Sequence, residues 1–246
     1  MNHVIILAAG KATRMKSELH KVLHPVKGVP IIKRLLKSIE PICQKPTLIV
    51  GHKAEDVIRE TDNKYNYVVQ AELLGTGHAI MCAQESLKDK GYKNIVVLMG
   101  DHPLVSTHTI QDILDLQASS GATVTLGTVI VPHFENEYSI FAHFGRIIRG
   151  SDGTVDRIVE YKDATEEERA SKEVNLNYIC FDASWLWNNV MNLSHSNVAQ
   201  EYYITDLVKM AKDQGKIVAA YPLKNIVESY GINTPEQLKM VEEVLS

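Results

Sequence analysis

Four runs in the first half of the chain are apolar and β-branched at consecutive positions: VIILAA (4–9), TLIVG (47–51), YVVQA (67–71) and NIVVLMG (94–100). A strand that is apolar on both faces has to be covered on both faces. Parallel strands in a sheet flanked by helices meet that condition. Helical patterns fill the intervals. PIIKRLLKSIE (30–40) opens with Pro30 at the first helical position, and GHAIMCAQESLKDK (77–90) and THTIQDILDLQAS (107–119) follow. This alternation predicts an α/β fold with a doubly wound, mostly parallel sheet.

The pattern changes near residue 120. ATVTLGTVIV (122–131), GRIIRG (145–150), GTVDRIVEY (153–161) and EVNLNYICF (173–181) read as strands, and SDG (151–153) is a turn of the kind that joins antiparallel neighbours. DATEEERASKE (163–173) is a polar short helix or loop, and ASWLWNNVMNL (183–193) and TDLVKMAKDQG (205–215) are helical, the latter ending at Gly215. KIVAAYPL (216–223) returns as a strand. A last helix starts with Thr234 as cap, Pro235 in the first turn and Gln237 at the capping-box position. We therefore expect one domain in two lobes: 1–120 as one lobe, 121–222 as a smaller, inserted antiparallel lobe, and 223–246 returning to the first.

Composition narrows the function. A net charge of −4 over 246 residues lacks the basic excess that nucleic-acid binding needs. The three cysteines, Cys43, Cys82 and Cys180, have no metal or redox spacing and read as reduced, partly buried thiols of a cytoplasmic protein. The first strand begins almost at Met1, which speaks against a signal peptide, and no apolar run is long enough to span a bilayer.

The first strand ends in AAG, and Lys11, Arg14, Lys16 and Lys21 follow within a dozen positions. Ligands of open α/β sheets sit outside the carboxyl ends of the strands. Small residues and Gly10 there let backbone N–H groups close on an anion, and the cations add charge, which suits a polyphosphate. The pattern is neither the Gly-x-x-x-x-Gly-Lys-Ser/Thr loop nor Gly-x-Gly-x-x-Gly; the plain alternative is a loop of solvated cations. LMGDHPL (98–104) ends another strand with Asp101, placed either to hold Mg²⁺ beside a polyphosphate or to cap the turn. In QAELLGTGHA (70–79), Gly75 and Gly77 allow close backbone approach, and Gln70 offers both a donor and an acceptor to a nucleobase.

With those segments in hand, the chain resembles the sugar-1-phosphate nucleotidyltransferases. It is most similar to the uridyltransferase half of bacterial N-acetylglucosamine-1-phosphate uridyltransferases. The likeness runs over essentially the whole chain through six ordered landmarks: LAAGKATRM, KVLHP, QAELLGTGHA, MGDHPL, GRIIRG…IVEYKDA and EYYITDLVKMA, followed by GIN. The resemblance implies a Rossmann-like fold and transfer of a uridylyl group from UTP to a sugar 1-phosphate, with N-acetylglucosamine 1-phosphate as the expected acceptor and Mg²⁺ as cofactor. It implies a nucleotide site at Leu7, Ala8, Ala9, Gly10, Gln70, Gly75 and Thr76. Arg14 and Lys21 would neutralise the triphosphate, Asp101 and Asn233 would hold Mg²⁺, and Gly145, Glu160 and Asn175 would hold the acceptor sugar. No nucleic-acid or membrane partner is implied, and the oligomeric state stays open.

The chain departs from that pattern in places. Ala12 replaces a glycine, His20 a proline and His102 a small apolar residue; His102 is expected to be solvated or hydrogen-bonded rather than a metal neighbour. On the acceptor side, Asn175-Leu176-Asn177 stands where the family has Asn-Thr-Gly, and Phe144 replaces a tyrosine. Asn177 either fills the sugar pocket or points away from it. The family's hexapeptide-repeat acetyltransferase half has no counterpart in the sequence, so acetyl transfer is not expected. Two alternatives stay open: another nucleotide such as CTP or another phosphorylated acceptor, and a non-catalytic nucleotide-sugar-binding relative.

Overall fold

The computed structural model describes residues 1–11 and 13–245, so the expectation about Ala12 lies outside the described residues. The chain runs through β1 (Asn2–Ala8), a hairpin of β2 (Pro25–Val26) and β3 (Val29–Pro30), α1 (Ile31–Ile39), β4 (Thr47–Val50), α2 (Ala54–Glu60), β5 (Asn66–Val69), α3 (Thr76–Leu87), β6 (Asn94–Met99) and α4 (Thr107–Ser120). It continues through β7 (Val124–Ile130), β8 (Arg146–Arg149), β9 (Val155–Val159), α5 (Glu166–Arg169), β10 (Glu173–Asp182), α6 (Ala183–Asn189), α7 (Asp206–Asp213), β11 (Val218–Pro222) and α8 (Pro235–Val244).

The main path of the sheet has the order β11-β7-β10-β6-β1-β4-β5. β1 lies parallel to β4 on one side and to β6 on the other. The chain leaves β1 toward β4 and β5, then crosses back to add β6 on the opposite flank. That reversal opens a crevice beyond the carboxyl ends of β1 and β6. Alternation along β1 sends Val4, Ile6 and Ala8 into one buried cluster and Ile5, Leu7 and Ala9 into another, one on each face of the sheet. The double-faced apolar runs thus reflect helices packed on both sides, as expected.

The second half differs from the expected inserted lobe. β7, β10 and β11 extend the central sheet, and β8 and β9 alone stand off its main path. β10 makes this possible through its length. Its last residues, Ile179–Asp182, pair antiparallel with β6, while Val174 near its start pairs with Arg146 of β8. One long strand leaves the core and supports the smaller lobe.

Two local details also differ. Pro30 caps α1 and closes the β2–β3 hairpin rather than opening the helix. Helix α2 gave no sequence signal because Val57 is its one buried residue, too little for an apolar stripe. Among the described residues, no helix is long and apolar enough to cross a membrane.

Candidate active site

A cavity of about 310 Å³ opens at the carboxyl ends of β1 and β6 and is lined by Leu7, Ala8, Ala9, Gly10, Gln70, Gly75 and Thr76 together with Lys21 and Asp101. All seven residues expected at the nucleotide therefore share one wall system. Lys11 of the cation run and Glu201 of the EYYITD landmark also line it, as do Leu73 and Met99, to which no sequence pattern assigns a role.

The glycines act differently from expectation. A Cβ on Gly10 would meet open space, and its φ lies outside the left-handed region, so its value there is access rather than conformational freedom. Gly75 is the constrained one. Its φ is +106°, and a Cβ would lie 2.6 Å from the Tyr202 carbonyl oxygen. The close approach is thus to the EYYITD segment, which Tyr202 N–H donating to Leu74 O and Gly77 N–H donating to Tyr202 O lock against α3.

Gln70 is 4% exposed, and its amide orientation is forced. Its Nε2 donates to the Gly75 carbonyl at 2.9 Å and to His78 Nδ1 at 3.2 Å. A backbone carbonyl only accepts, so the nitrogen is identified by its partner. Both N–H groups are committed, and Oε1 is what the side chain offers to a ligand.

The charged residues converge from three parts of the chain. Lys21 Nζ donates to Asp101 Oδ2 at 2.6 Å and to Asn233 Oδ1 at 2.9 Å. Arg14, exposed, donates to the same Asn233 oxygen at 3.2 Å. Met15, Val22 and Leu23 are buried and anchor the basic loop between its cations. Asn233 is brought alongside by Ile232 N–H donating to Asp101 O and by Gln237 Oε1 accepting from Asn233 N–H. That bond is why Gln237 does not complete a capping box, although Thr234 caps α8 as expected. Burial pushes the Asp101 carboxyl up, but the Lys21 ammonium and His102 outweigh it and hold it below the ordinary carboxylate value. Asp101 Oδ1 is buried and has no hydrogen-bond partner.

These oxygens suit a hard cation. A carboxylate and a carboxamide oxygen are already arranged around one positive charge, the Lys21 ammonium, and a second carboxylate oxygen is unsatisfied. Asp101 and Asn233 therefore fit Mg²⁺, provided Lys21 moves off them.

The expected acceptor residues also cluster. Asn175 N–H donates to Gly145 O at 2.8 Å, and a Cβ on Gly145 would lie 3.4 Å from both Glu160 carboxylate oxygens. They sit away from the first cavity. Glu160 lines a second one, of about 730 Å³, with Asp163, Tyr203 and Asp206. Burial raises the Glu160 carboxyl, although Thr205 Oγ1 donates to its Oε1 at 2.9 Å. Asn177 occupies a bulge between β10 and β7 with φ +59°. Its side chain turns onto Asn175: Asn175 Nδ2 donates to Asn177 Oδ1 at 2.8 Å, and Asn177 N–H donates to Asn175 Oδ1 at 3.1 Å. Phe144 stacks edge-on against Phe141 and gives its carbonyl to the Arg146 guanidinium.

A doubly wound sheet with small residues, cations and an oxygen-donor pair at the switch point is the build of an enzyme that handles nucleoside triphosphates. Residues 4–186 match the family described as the MobA-like NTP transferase domain. The chain belongs to that family and is, by that membership, a nucleotidyltransferase. It is 41% identical over 240 residues to the bifunctional protein GlmU of Bacillus velezensis, covering 97% of this chain and 51% of the relative. The GlmU of Enterococcus faecalis is 40% identical over 246 residues, covering 99% and 52%. The chain thus spans about half the length of the curated relatives it matches. A solved structure from Bacillus anthracis, assigned as a glucose-1-phosphate thymidylyltransferase in complex with sucrose, superimposes with a TM-score of 0.76 at 18% identity, covering 99% of this chain and 95% of that one. That likeness concerns the fold.

Proposed function

We propose that this chain is a cytoplasmic, Mg²⁺-dependent uridylyltransferase that uses UTP and a sugar 1-phosphate, with N-acetylglucosamine 1-phosphate as the acceptor. An oxygen of the acceptor phosphate attacks the α-phosphorus, the bond from that phosphorus to the bridging oxygen breaks, and pyrophosphate leaves with the electron pair. The acceptor phosphate is largely deprotonated at neutral pH, so no general base is needed and the work is positioning and charge neutralisation.

Gln70 carries the choice of base. With both amide hydrogens tied to Gly75 O and His78 Nδ1, its Oε1 accepts from the ring N–H of a uracil, whereas cytosine offers a lone pair at the corresponding nitrogen. Leu7 to Gly10, Gly75 and Thr76 shape the pocket around base and ribose. Arg14 and Lys21 stabilise negative charge on the transferring and leaving phosphates. Mg²⁺ held by Asp101 and Asn233 would supply further positive charge to the phosphates. Gly145, Glu160 and Asn175 orient the acceptor sugar. A second acceptor remains a distinct reading because the bond from Asn175 to Asn177 commits one of the Asn175 donors before any sugar arrives.

The test is pyrophosphate release with Mg²⁺, crossing UTP, CTP, dTTP, ATP and GTP with a panel of sugar 1-phosphates. The unpaired acceptor in a CTP complex should cost about 1–3 kcal/mol, a preference for UTP of roughly fivefold to more than a hundredfold in kcat/KM. Equal use of CTP and UTP would defeat the Gln70 argument. Turnover confined to another acceptor would move the specificity to the Asn175–Asn177 bulge.

A further inference from the structure

The EYYITD segment, residues 201–206, runs between the two cavities and is tied at both ends. At one end it grips the loop that opens α3. Tyr202 N–H donates to Leu74 O at 2.8 Å, Gly77 N–H donates to Tyr202 O at 2.7 Å, and Ile204 N–H donates to Thr76 Oγ1 at 3.1 Å. At the other end Thr205, 2% exposed, donates from Oγ1 to Glu160 Oε1 at 2.9 Å. Thr205 stands at the cap position of α7, where a hydroxyl ordinarily accepts from a first-turn N–H, yet its side chain makes no such bond. The turn ahead of the helix removes the need. The N–H groups of Asp206, Leu207 and Val208 donate to the carbonyls of Tyr203, Ile204 and Thr205. The hydroxyl is left for Glu160.

Glu160 depends on it. Among the described residues, the Thr205 hydroxyl is the one hydrogen-bond donor to this carboxylate. The cations that line the same cavity are engaged elsewhere: Arg157 with Asp156 and Glu168, Lys209 with Asp213. The groups that face Glu160 are the Tyr203 phenol and the carboxyls of Asp163, Glu201 and Asp206. Burial raises the Glu160 carboxyl, the Thr205 hydroxyl opposes that rise, and the like charges of Asp206, Asp163 and Glu201 add to it.

We propose that Thr205 is a positioning residue of the acceptor site: its hydroxyl, diverted from helix capping, fixes Oε1 of Glu160 and leaves Oε2 for a hydroxyl group of the acceptor sugar. The same segment is pinned to residues 74–77, so the main chain that shapes the nucleotide cavity also sets where Glu160 is held. The acceptor role of Glu160 rests on the function proposed above.

The experiment compares the wild type with Thr205→Val, which keeps the shape and removes the hydroxyl, and Thr205→Ser, which keeps the hydroxyl. Thr205→Val should raise the KM for N-acetylglucosamine 1-phosphate about tenfold, the scale of a hydrogen bond to a charged group, and leave the KM for UTP nearly unchanged. Thr205→Ser should restore the acceptor KM. The deficit of Thr205→Val should also shrink as pH rises. Without the hydroxyl, Glu160 keeps its proton to higher pH, whereas the acceptor phosphate titrates alike in both proteins and cancels in their ratio. A deficit that is equal at every pH, that falls equally on UTP, or that serine does not repair would mean ordinary structural loss and overturn the proposal. So would an unchanged acceptor KM, or a further loss from Thr205→Val in a Glu160→Ala background, where no carboxylate is left to position. Thr205→Ala serves the same comparison if the valine variant does not fold. Carbon-13 NMR of labelled glutamate needs no turnover: the Glu160 titration should move up in Thr205→Val and not in Thr205→Ser. An unmoved titration in an active enzyme refutes the tie and spares the uridylyl-transfer reading. The expected shift in a protein that turns over no sugar 1-phosphate does the reverse.

Discussion

The end of the molecule proposed above to take the nucleotide and the end proposed to take the acceptor are built from different materials. The nucleotide cavity is lined by main chain and small side chains at Leu7 to Gly10 and at Gly75 and Thr76, positions set by where β1 ends and α3 begins. The acceptor end rests on buried charged side chains. Arg146 is 1% exposed and satisfied by carbonyls; Glu173, 8% exposed, takes two hydrogen bonds from Arg149 and one from Thr128. A main-chain site follows from sheet topology and is insensitive to most substitutions. A side-chain site is respecified by one or two. Asn177, whose carboxamide engages Asn175, is a substitution of the second kind.

The largest expected effect tests whether the nucleotide end depends on the few mobile charges laid over its main chain. Arg14 is exposed and bonded to Asn233. Arg14→Ala should leave the melting temperature nearly unchanged and lower kcat by about 10²–10³, the usual loss when a donor to developing negative charge is removed. Steady-state kinetics with saturating UTP decide it, and near-full turnover would remove Arg14 from the site.

Arg146 tests the other material. Its guanidinium donates to the carbonyls of Phe141, Ala142, Phe144 and Arg169 and lies over the Phe134 ring at 4.1 Å. It therefore pins the aromatic segment that precedes Gly145. Arg146→Met keeps the volume but strands those carbonyls, and should cost about 3 kcal/mol of stability, or roughly 6–12 °C in Tm for a chain of this size. Thermal unfolding measures it. A Tm shift under about 2 °C would mean that the segment is held by packing alone.

The difference between the two ends also explains what the sequence made legible. Double-faced strands, the glycine at the end of β1 and the Asp101 turn are local patterns, so the sheet and its crevice could be read from the residues. Arg146 reads as a surface cation because nothing nearby in sequence reveals that four carbonyls will surround it. The fit of Gly75 against Tyr202 and the pairing of β10 with β6 in the central sheet are long-range facts of the same kind. Gly10 is the simpler case: a Cβ there would meet open space, so the residue leaves the end of β1 accessible. The expected acceptor residues were named through resemblance, and their local chemistry alone would not have separated Glu160 from an ordinary strand carboxylate.

The smallest expected effect sharpens the comparison through pH, because the two ends shift their carboxyls in opposite directions. Burial, reinforced by Asp163, raises Asp206 from its ordinary 3.8 to about 6. The folded protein then holds a proton that the unfolded chain has released, so stability falls as pH rises from about 4 through about 6. Asp101 is held below its ordinary value by Lys21 and His102 against the opposing effect of burial. Its contribution is present above pH 4 and is lost as pH falls through its lower folded value. Urea unfolding from pH 4 to pH 8 should therefore show a decline between pH 4 and pH 6 in the wild type that is reduced in Asp206→Asn and retained in Asp101→Asn. Equal slopes in the wild type and Asp206→Asn would mean that Asp206 meets water in the folded protein, and that the acceptor end is less dry than its packing implies.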